Sequence, residues 1–245
     1  MLLLGIDLET TGLDTTQCEI IEIGAVLWDT ERQAPVVVQN DLIFWEDLEL
    51  SEEIIQITGI TKADLSFGVE IPIALDRLAE LMKQADYAVA HNGTTFDYPI
   101  LMRDFGEHDI NFPMIPWIDT RLDVDFPTKT RRLVHLAAEH GFANPFAHRA
   151  FADVLTMLKI LSMYDIEKVI DNSKQPLLEV QAVCAKPWEQ NNVPEGQKDT
   201  DKAKARGYYW NPTRKIWSKN IRKSELEAEK AHGEFGIIVL EEIDR

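Results

Sequence analysis

The chain has 245 residues, 45% of them apolar, which is enough for a sizeable core and more than the roughly 100–200 residues of one ordinary domain. Its net charge of −17 argues against a protein that coats nucleic acid through a basic surface, and its two cysteines, Cys18 and Cys184, lie too far apart for a metal-type spacing. They point to reduced thiols in a cytoplasmic setting, and no membrane span or targeting signal is read. The acidity is uneven: residues 1–173 carry 12 Lys+Arg against 30 Asp+Glu, residues 174–245 carry 13 against 12.

Met1 to Leu8 is an apolar run broken by Gly5 and Asp7, too short for a signal peptide or a membrane span, and reads as a buried first strand. Alternation along it sends Asp7 and Glu9 to the same side. Two such carboxylates repel each other and lose hydration unless a cation lies between them, and a hard divalent ion such as magnesium suits oxygen ligands. The alternative is that the strand ends near residue 6 and both acids are solvated. Ile20–Trp28 reads as a second strand, and Val36–Val38 with Leu42–Phe44 as a third, so the chain opens as an antiparallel meander.

Helical periodicity follows in Ile73–Met82, with Ala74, Leu75, Leu78 and Leu81 on one face. Ala85–Ala90 reads as a strand and His91–Asn92–Gly93 as a turn. Thr94 or Thr95 is a candidate cap for a helix from Phe96, in which Pro99 is tolerated in the first turn. Asp97 then lies at a helix start just beyond a strand, where the helix dipole alone also favours an acid. A helix is expected over Arg131–His140, ended by Gly141. Asp153 begins an amphipathic helix with Val154, Leu155, Met157, Leu158 and Leu161, and His148 precedes it by five residues, an arrangement that suits a mobile base beside a fixed ligand. His108, His135, His140 and His232 read as surface or satisfied histidines.

These islands resemble the motifs of a known family. Asp7-Leu8-Glu9-Thr10-Thr11-Gly12-Leu13 is similar to the first motif of the DEDD 3′→5′ exonucleases, the group that includes proofreading epsilon subunits, RNase T and exonuclease X. His91-Asn92 through Asp97 is similar to the second, and His148-x-Ala150-x-x-Asp153 to the third in its histidine form, DEDDh. Ile57–Thr61 and Ile118–Thr120 are weaker family-like stretches. The resemblance covers roughly residues 1–165 and implies an α/β fold with an RNase H-like mixed sheet flanked by helices.

It further implies that Asp7, Glu9, Asp97 and Asp153 hold two magnesium or manganese ions, and that His148 takes the proton from the attacking water, an imidazole's ordinary pKa of about 6.5 suiting a base at neutral pH. The implied substrate is the 3′ end of DNA or RNA, the implied product a nucleoside 5′-monophosphate, and a polymerase or repair complex is a possible partner. Thr10, Thr11, Gly12 and Leu13 should approach the terminal nucleotide, with Asn92 and Phe96 as further pocket candidates; core packing is the competing explanation for Leu13 and Phe96.

A polar stretch, Asp171–Pro176, is expected to link residues 1–172 to a small α+β module over residues 173–245 that matches none of these motifs. There we read a strand (Leu177–Ala185), a helix (Asp199–Arg206), a hairpin (Tyr208–Trp210 with Lys215–Ser218), a helix (Ser224–Ala231) and a last strand (Phe235–Leu240). Lys202, Lys204, Arg206, Arg214, Lys215, Lys219, Arg222 and Lys223, interleaved with Tyr208, Tyr209, Trp210 and Trp217, are the mixture of a stacking and phosphate-contacting platform. The competing explanation is that one hairpin face is the core of the module.

Overall fold

Runs rich in Leu, Ile and Val at the start of the chain pair as three antiparallel strands, β1 (Leu2–Thr10), β2 (Ile20–Asp29) and β3 (Ala34–Leu42). This computed structural model describes residues 1–128 and 130–243, except the side chains of Pro187 and Trp188. Asp7 and Glu9 both fall inside β1, which rules out a strand ending near residue 6. Ile43 and Phe44 leave the β3 ladder; Ile43 bridges to Val69 instead.

Two short helices that periodicity did not reveal come next, α1 (Glu52–Thr58) and α2 (Lys62–Leu65), capped by the hydroxyls of Ser51 and Thr61. They precede α3 (Ile71–Met82), whose buried face includes Ala74, Leu75, Leu78 and Leu81. On the other side of β1, β4 (Tyr87–Ala90) and β5 (Trp117–Asp119) add in parallel, with α4 (Asp97–Glu107) between them, giving the order β3-β2-β1-β4-β5. Then follow α5 (Thr120–Asp123), α6 (Leu133–Glu139), α7 (Ala150–Leu161) and α8 (Ile166–Ser173). α6 starts later than expected because the Arg131 carbonyl accepts a bond of 2.6 Å from His91 Nε2, outside the helix. The architecture is the RNase H-like mixed sheet that the motifs implied.

Alternation gives the sheet two different faces. Leu4, Ile6 and Leu8 of β1 join Ile23, Ala25 and Leu27 of β2 in a core closed by α3 and α4. The opposite face is crossed by α7 at two glycines: a Cβ on Gly24 would lie 2.4 Å from the Ala150 carbonyl carbon, and one on Gly5 2.7 Å from Val154 Cγ1. Only glycine permits so close an approach, so the helix backbone rests directly on β2. Asp7 pairs across from Gly24 and Glu9 from Glu22, so both acids share the face that α7 covers.

The chain divides into two compact units, Met1–Val169 and Ile170–Arg245. The stretch expected as a linker from Asp171 is helical to Ser173, where the Ser173 hydroxyl donates to the Ile170 carbonyl. The second unit contains β6 (Leu177–Val183), α9 (Asp199–Ala205), β7 (Tyr209–Asn211), β8 (Ile216–Arg222), α10 (Leu226–Lys230) and β9 (Gly236–Ile243) in an antiparallel sheet ordered β7-β8-β6-β9. Leu178, Val180, Ala182, Ala203 and Ile221 pack around Tyr208, which is core rather than part of an exposed platform. Among the described residues no helix is long and apolar enough to cross a membrane.

Candidate metal centre

The C-terminal ends of β1 and β4 lie at the same sheet edge, where the chain departs to opposite sides, the place at which open α/β sheets bind ligands. β1 presents Asp7 and Glu9 there, and Asp153 in the first turn of α7 meets them: one carboxylate oxygen from each lies within 4.8 Å of the other two. Burial first, and then the neighbouring Asp97, raises the Asp7 carboxyl well above its ordinary value. Burial, then Asp153, pushes Glu9 up to about 8, and burial also raises Asp153. Converging oxygen donors that repel one another fit a hard divalent cation, which would relieve both the repulsion and the lost hydration. The cavity bordered by Leu3, Trp28, Leu158 and Tyr164 includes none of these acids.

Asp97 lies outside that group of three. Past Gly5 the β1–β4 ladder ends, and Asp97 Oδ1 accepts the Leu8 N–H at 3.1 Å, so the carboxylate occupies the β4 side of β1 beside Asp7. Burial lifts it to about 7. The helix it opens has Phe96 at the N-cap without a side-chain cap. Thr94 does not cap it, because its hydroxyl goes to Asp119 Oδ2 at 2.7 Å, and the Thr95 hydroxyl goes to the Asn92 carbonyl.

His148 is exposed, with φ at +65°, and its ring is not among the converging ligand atoms. It reaches the site through its backbone, whose N–H donates to Asp153 Oδ2 at 2.8 Å. Asn144, which the sequence reading missed, donates from Nδ2 to Asp153 Oδ1 at 2.6 Å. Glu22 was missed as well. It is fully buried opposite Glu9; Oε1 accepts from the Arg149 guanidinium at 2.6 Å and Oε2 from the Ala150 N–H at 2.9 Å. A lone acid in the apolar run Ile20–Ile23 was the available signal. Asp119, noticed only within a family-like stretch, is buried and accepts the N–H groups of Asn92, Thr94 and Arg121, fixing the turn that leads to Asp97.

The remaining candidates divide by environment. Thr10 is buried and its hydroxyl donates to the Gly12 carbonyl at 2.7 Å. Thr11 exchanges bonds with Glu19, its N–H donating to the carbonyl and its hydroxyl accepting the N–H. Gly12 has open space around it and Leu13 is 89% exposed, so core packing does not explain Leu13. Asn92, at φ +78°, is a turn residue whose Oδ1 accepts from Arg121 at 2.7 Å. Phe96 is half-buried and packs against the main core.

The RNase_T exonuclease family matches residues 4–161. The chain belongs to this exonuclease family. The match falls within the first unit, Met1–Val169. The chain is 32% identical over 178 residues to the 3′-5′ exonuclease DinG of Staphylococcus saprophyticus, which covers 69% of this chain and 19% of that protein. It is 28% identical over 163 residues to the PolC-type DNA polymerase III of Mycoplasma pneumoniae, covering 64% and 11%. The chain therefore spans a fifth or less of the length of these relatives. Among solved structures, the nuclease domain of the DEDDh member 3′hExo bound to rAMP superimposes with a TM-score of 0.56 at 19% identity, over 66% of this chain and 90% of that one. Exonuclease I of E. coli in complex with a dA16 oligonucleotide gives 0.64 at 15% identity, over 95% and 67%.

Proposed function

We propose that the chain acts as a metal-dependent 3′→5′ exonuclease that hydrolyses the last phosphodiester bond of DNA or RNA and releases nucleoside 5′-monophosphates. The convergence of Asp7, Glu9 and Asp153 carries this reading. With Asp97 beside them, these acids would hold two magnesium ions, or manganese in their place. Bound there, the ions supply positive charge to the attacking and leaving oxygens of an in-line displacement. His148, exposed on its loop, accepts the proton of the attacking water on a ring nitrogen. The backbone of Thr10, Thr11 and Gly12 approaches the terminal nucleotide, Leu13 lies against the last base, and Asn92 and Phe96 border the pocket. An acidic domain that grips only a few terminal nucleotides needs few phosphate contacts, so binding of long strands by the first unit alone is weak and salt-sensitive.

One observation favours a setting in DNA replication: a PolC-type DNA polymerase III is among the relatives. In that setting the chain proofreads or trims 3′ ends beside a polymerase or repair partner, and its two unpaired cysteines suit a reducing, cytoplasmic compartment.

The test is digestion of matched DNA and RNA oligonucleotides, single- and double-stranded and labelled at the 3′ end, with and without magnesium. The expected product is a labelled mononucleotide that requires magnesium and is absent with Asp7→Ala. Longer fragments would mark an endonuclease, and unchanged turnover by Asp7→Ala would overturn the assignment.

A further inference from the structure

We infer that Glu22 and Arg149 are positioning residues for this reaction: their ion pair holds the loop that carries His148 and the helix turn that carries Asp153. The inference rests on the exonuclease reading of the acid cluster.

The N-terminus of a helix leaves backbone N–H groups without partners in the helix itself, and a nearby side chain normally takes one of them. α7 has no such local cap; its N-cap residue is Arg149, whose side chain makes no capping bond. The Ala150 N–H is instead taken by Glu22, 128 residues away in sequence and fully buried on β2. The same carboxylate accepts from Arg149 Nε at 3.2 and 3.1 Å and from the terminal guanidinium nitrogen at 2.6 Å. A carboxylate on an inner strand of the sheet thus fixes two consecutive residues of the loop–helix junction. Arg149 follows His148 directly, and Asp153 is one helical turn beyond Arg149.

The other side of the junction is fastened to Asp153, whose two oxygens accept from the His148 N–H and from the Asn144 amide. Between these anchors the His148 backbone is held at φ +65°, a left-handed conformation that costs a non-glycine residue energy unless its surroundings impose it. Gly24, two residues after Glu22 and on the same face, lets the junction lie directly on the sheet. The guanidinium meets the carboxylate through two nitrogens, a two-point contact that an ammonium cannot reproduce. Without the pair, the junction is free to turn, and both His148 and Asp153 move relative to Asp7 and Glu9. Misplacement of about 1 Å is enough to cost about 100-fold in rate. Of the residues expected to meet the nucleotide, Thr10 ends β1 and Thr11 to Leu13 lie on the β1–β2 loop, so these are unaffected.

The experiment compares the full chain with Arg149→Lys and with the double variant Glu22→Leu/Arg149→Met, which replaces the pair by apolar side chains and spares the fold an unpaired buried charge. Steady-state rates on a short single-stranded DNA oligonucleotide are read alongside circular dichroism and thermal melting, with magnesium varied. The expected result for the folded double variant is a kcat lower by about 100-fold, an unchanged KM and a higher half-saturating magnesium concentration. Arg149→Lys, which keeps a charge next to Glu22, should show the same pattern at about tenfold, and it supplies the test if the double variant unfolds. A folded variant with the parent kcat would overturn the inference and leave the pair a structural one. Failure of the parent chain itself to release nucleotide would overturn the exonuclease reading, which the unsubstituted sample shows by itself.

Discussion

Partly buried acids occur in both units of the chain and are treated in opposite ways. In the first unit Asp7, Glu9 and Asp153 converge; burial raises all three, and repulsion from the neighbouring acids adds to it at Asp7 and Glu9. In the second, Glu229 lies between Arg206 at 2.9 Å and Lys219 at 3.0 Å and accepts from the Tyr208 hydroxyl. Burial pushes Glu229 up, but the bonds from Arg206 and Lys219 outweigh it and leave this carboxyl below its ordinary value. A buried acid matched by cations of its own chain is part of the framework; acids gathered on one another belong to a site that takes its cation from outside. The same pairing thins the basic platform read from the sequence. Arg206, Arg214, Lys219, Arg222 and Lys223 bond to Glu229, Glu179, Glu225 and Glu242, which reduces their part in gripping phosphate.

The largest effect expected from this contrast is a reversal between two single substitutions. Asp7→Asn should abolish turnover while leaving metal-free stability equal or higher, because it removes a charge from a repelling group. Glu229→Ala should do the opposite, destabilising the second unit by about 1–3 kcal/mol by removing the carboxylate that two part-buried cations share, with kcat on a short oligonucleotide unchanged. Urea denaturation and initial rates on the same preparations decide it. An unfolded Asp7→Asn, or a folded Glu229→Ala without turnover, would break the comparison.

A smaller effect of the same origin is an opposite response to pH. Glu9 and Asp97 titrate at about 8 and about 7 in the fold, against ordinary values of 4.5 and 3.8. A carboxyl raised in this way binds its proton better folded than unfolded, so its contribution is complete below the ordinary value and is lost as pH rises through the folded one. The metal-free first unit should therefore lose stability from about pH 4 to pH 8, and magnesium should offset the loss. Glu229, being lowered, contributes above its ordinary value and loses that contribution as pH falls, so the second unit should weaken in acid. Hydrogen exchange in the presence of a chelator, resolved by unit, reads both slopes at once; parallel slopes would refute the contrast.

What was legible in the sequence follows the range of the interaction. Strands β1 and β2 and helices α3 and α7 show in local periodicity, and the acids show because their types stand at recognisable spacings. The Glu22–Arg149 tie spans 127 residues and depends on the β1–β2 register, which no local pattern encodes. The Thr94 cap failed for a related reason: a hydroxyl in a turn takes the best acceptor in reach, and the distant Asp119 was better placed than the helix end. In the second unit, the sequence did not say which of the aromatic residues would be covered, because that depended on where α9 and its Ala203 came to pack against Tyr208.

The smallest expected effect concerns that hairpin. Tyr209 is 61% and Trp210 48% exposed, and Trp210 already leans on Trp217 with ring centroids 5.8 Å apart. Tyr209 is the more exposed of the two rings, and loss of one base–aromatic stack costs about 1–3 kcal/mol. Tyr209→Ala should therefore raise KM on a long single strand by roughly fivefold, the low end of that range. A three-nucleotide substrate, too short to leave the first unit's site, should show no change in either constant. Equal KM values on the long strand would mean that the exposed rings do not read nucleic acid. They would then be suited to a protein partner, since exposed aromatics of this kind are also what protein interfaces use as anchors.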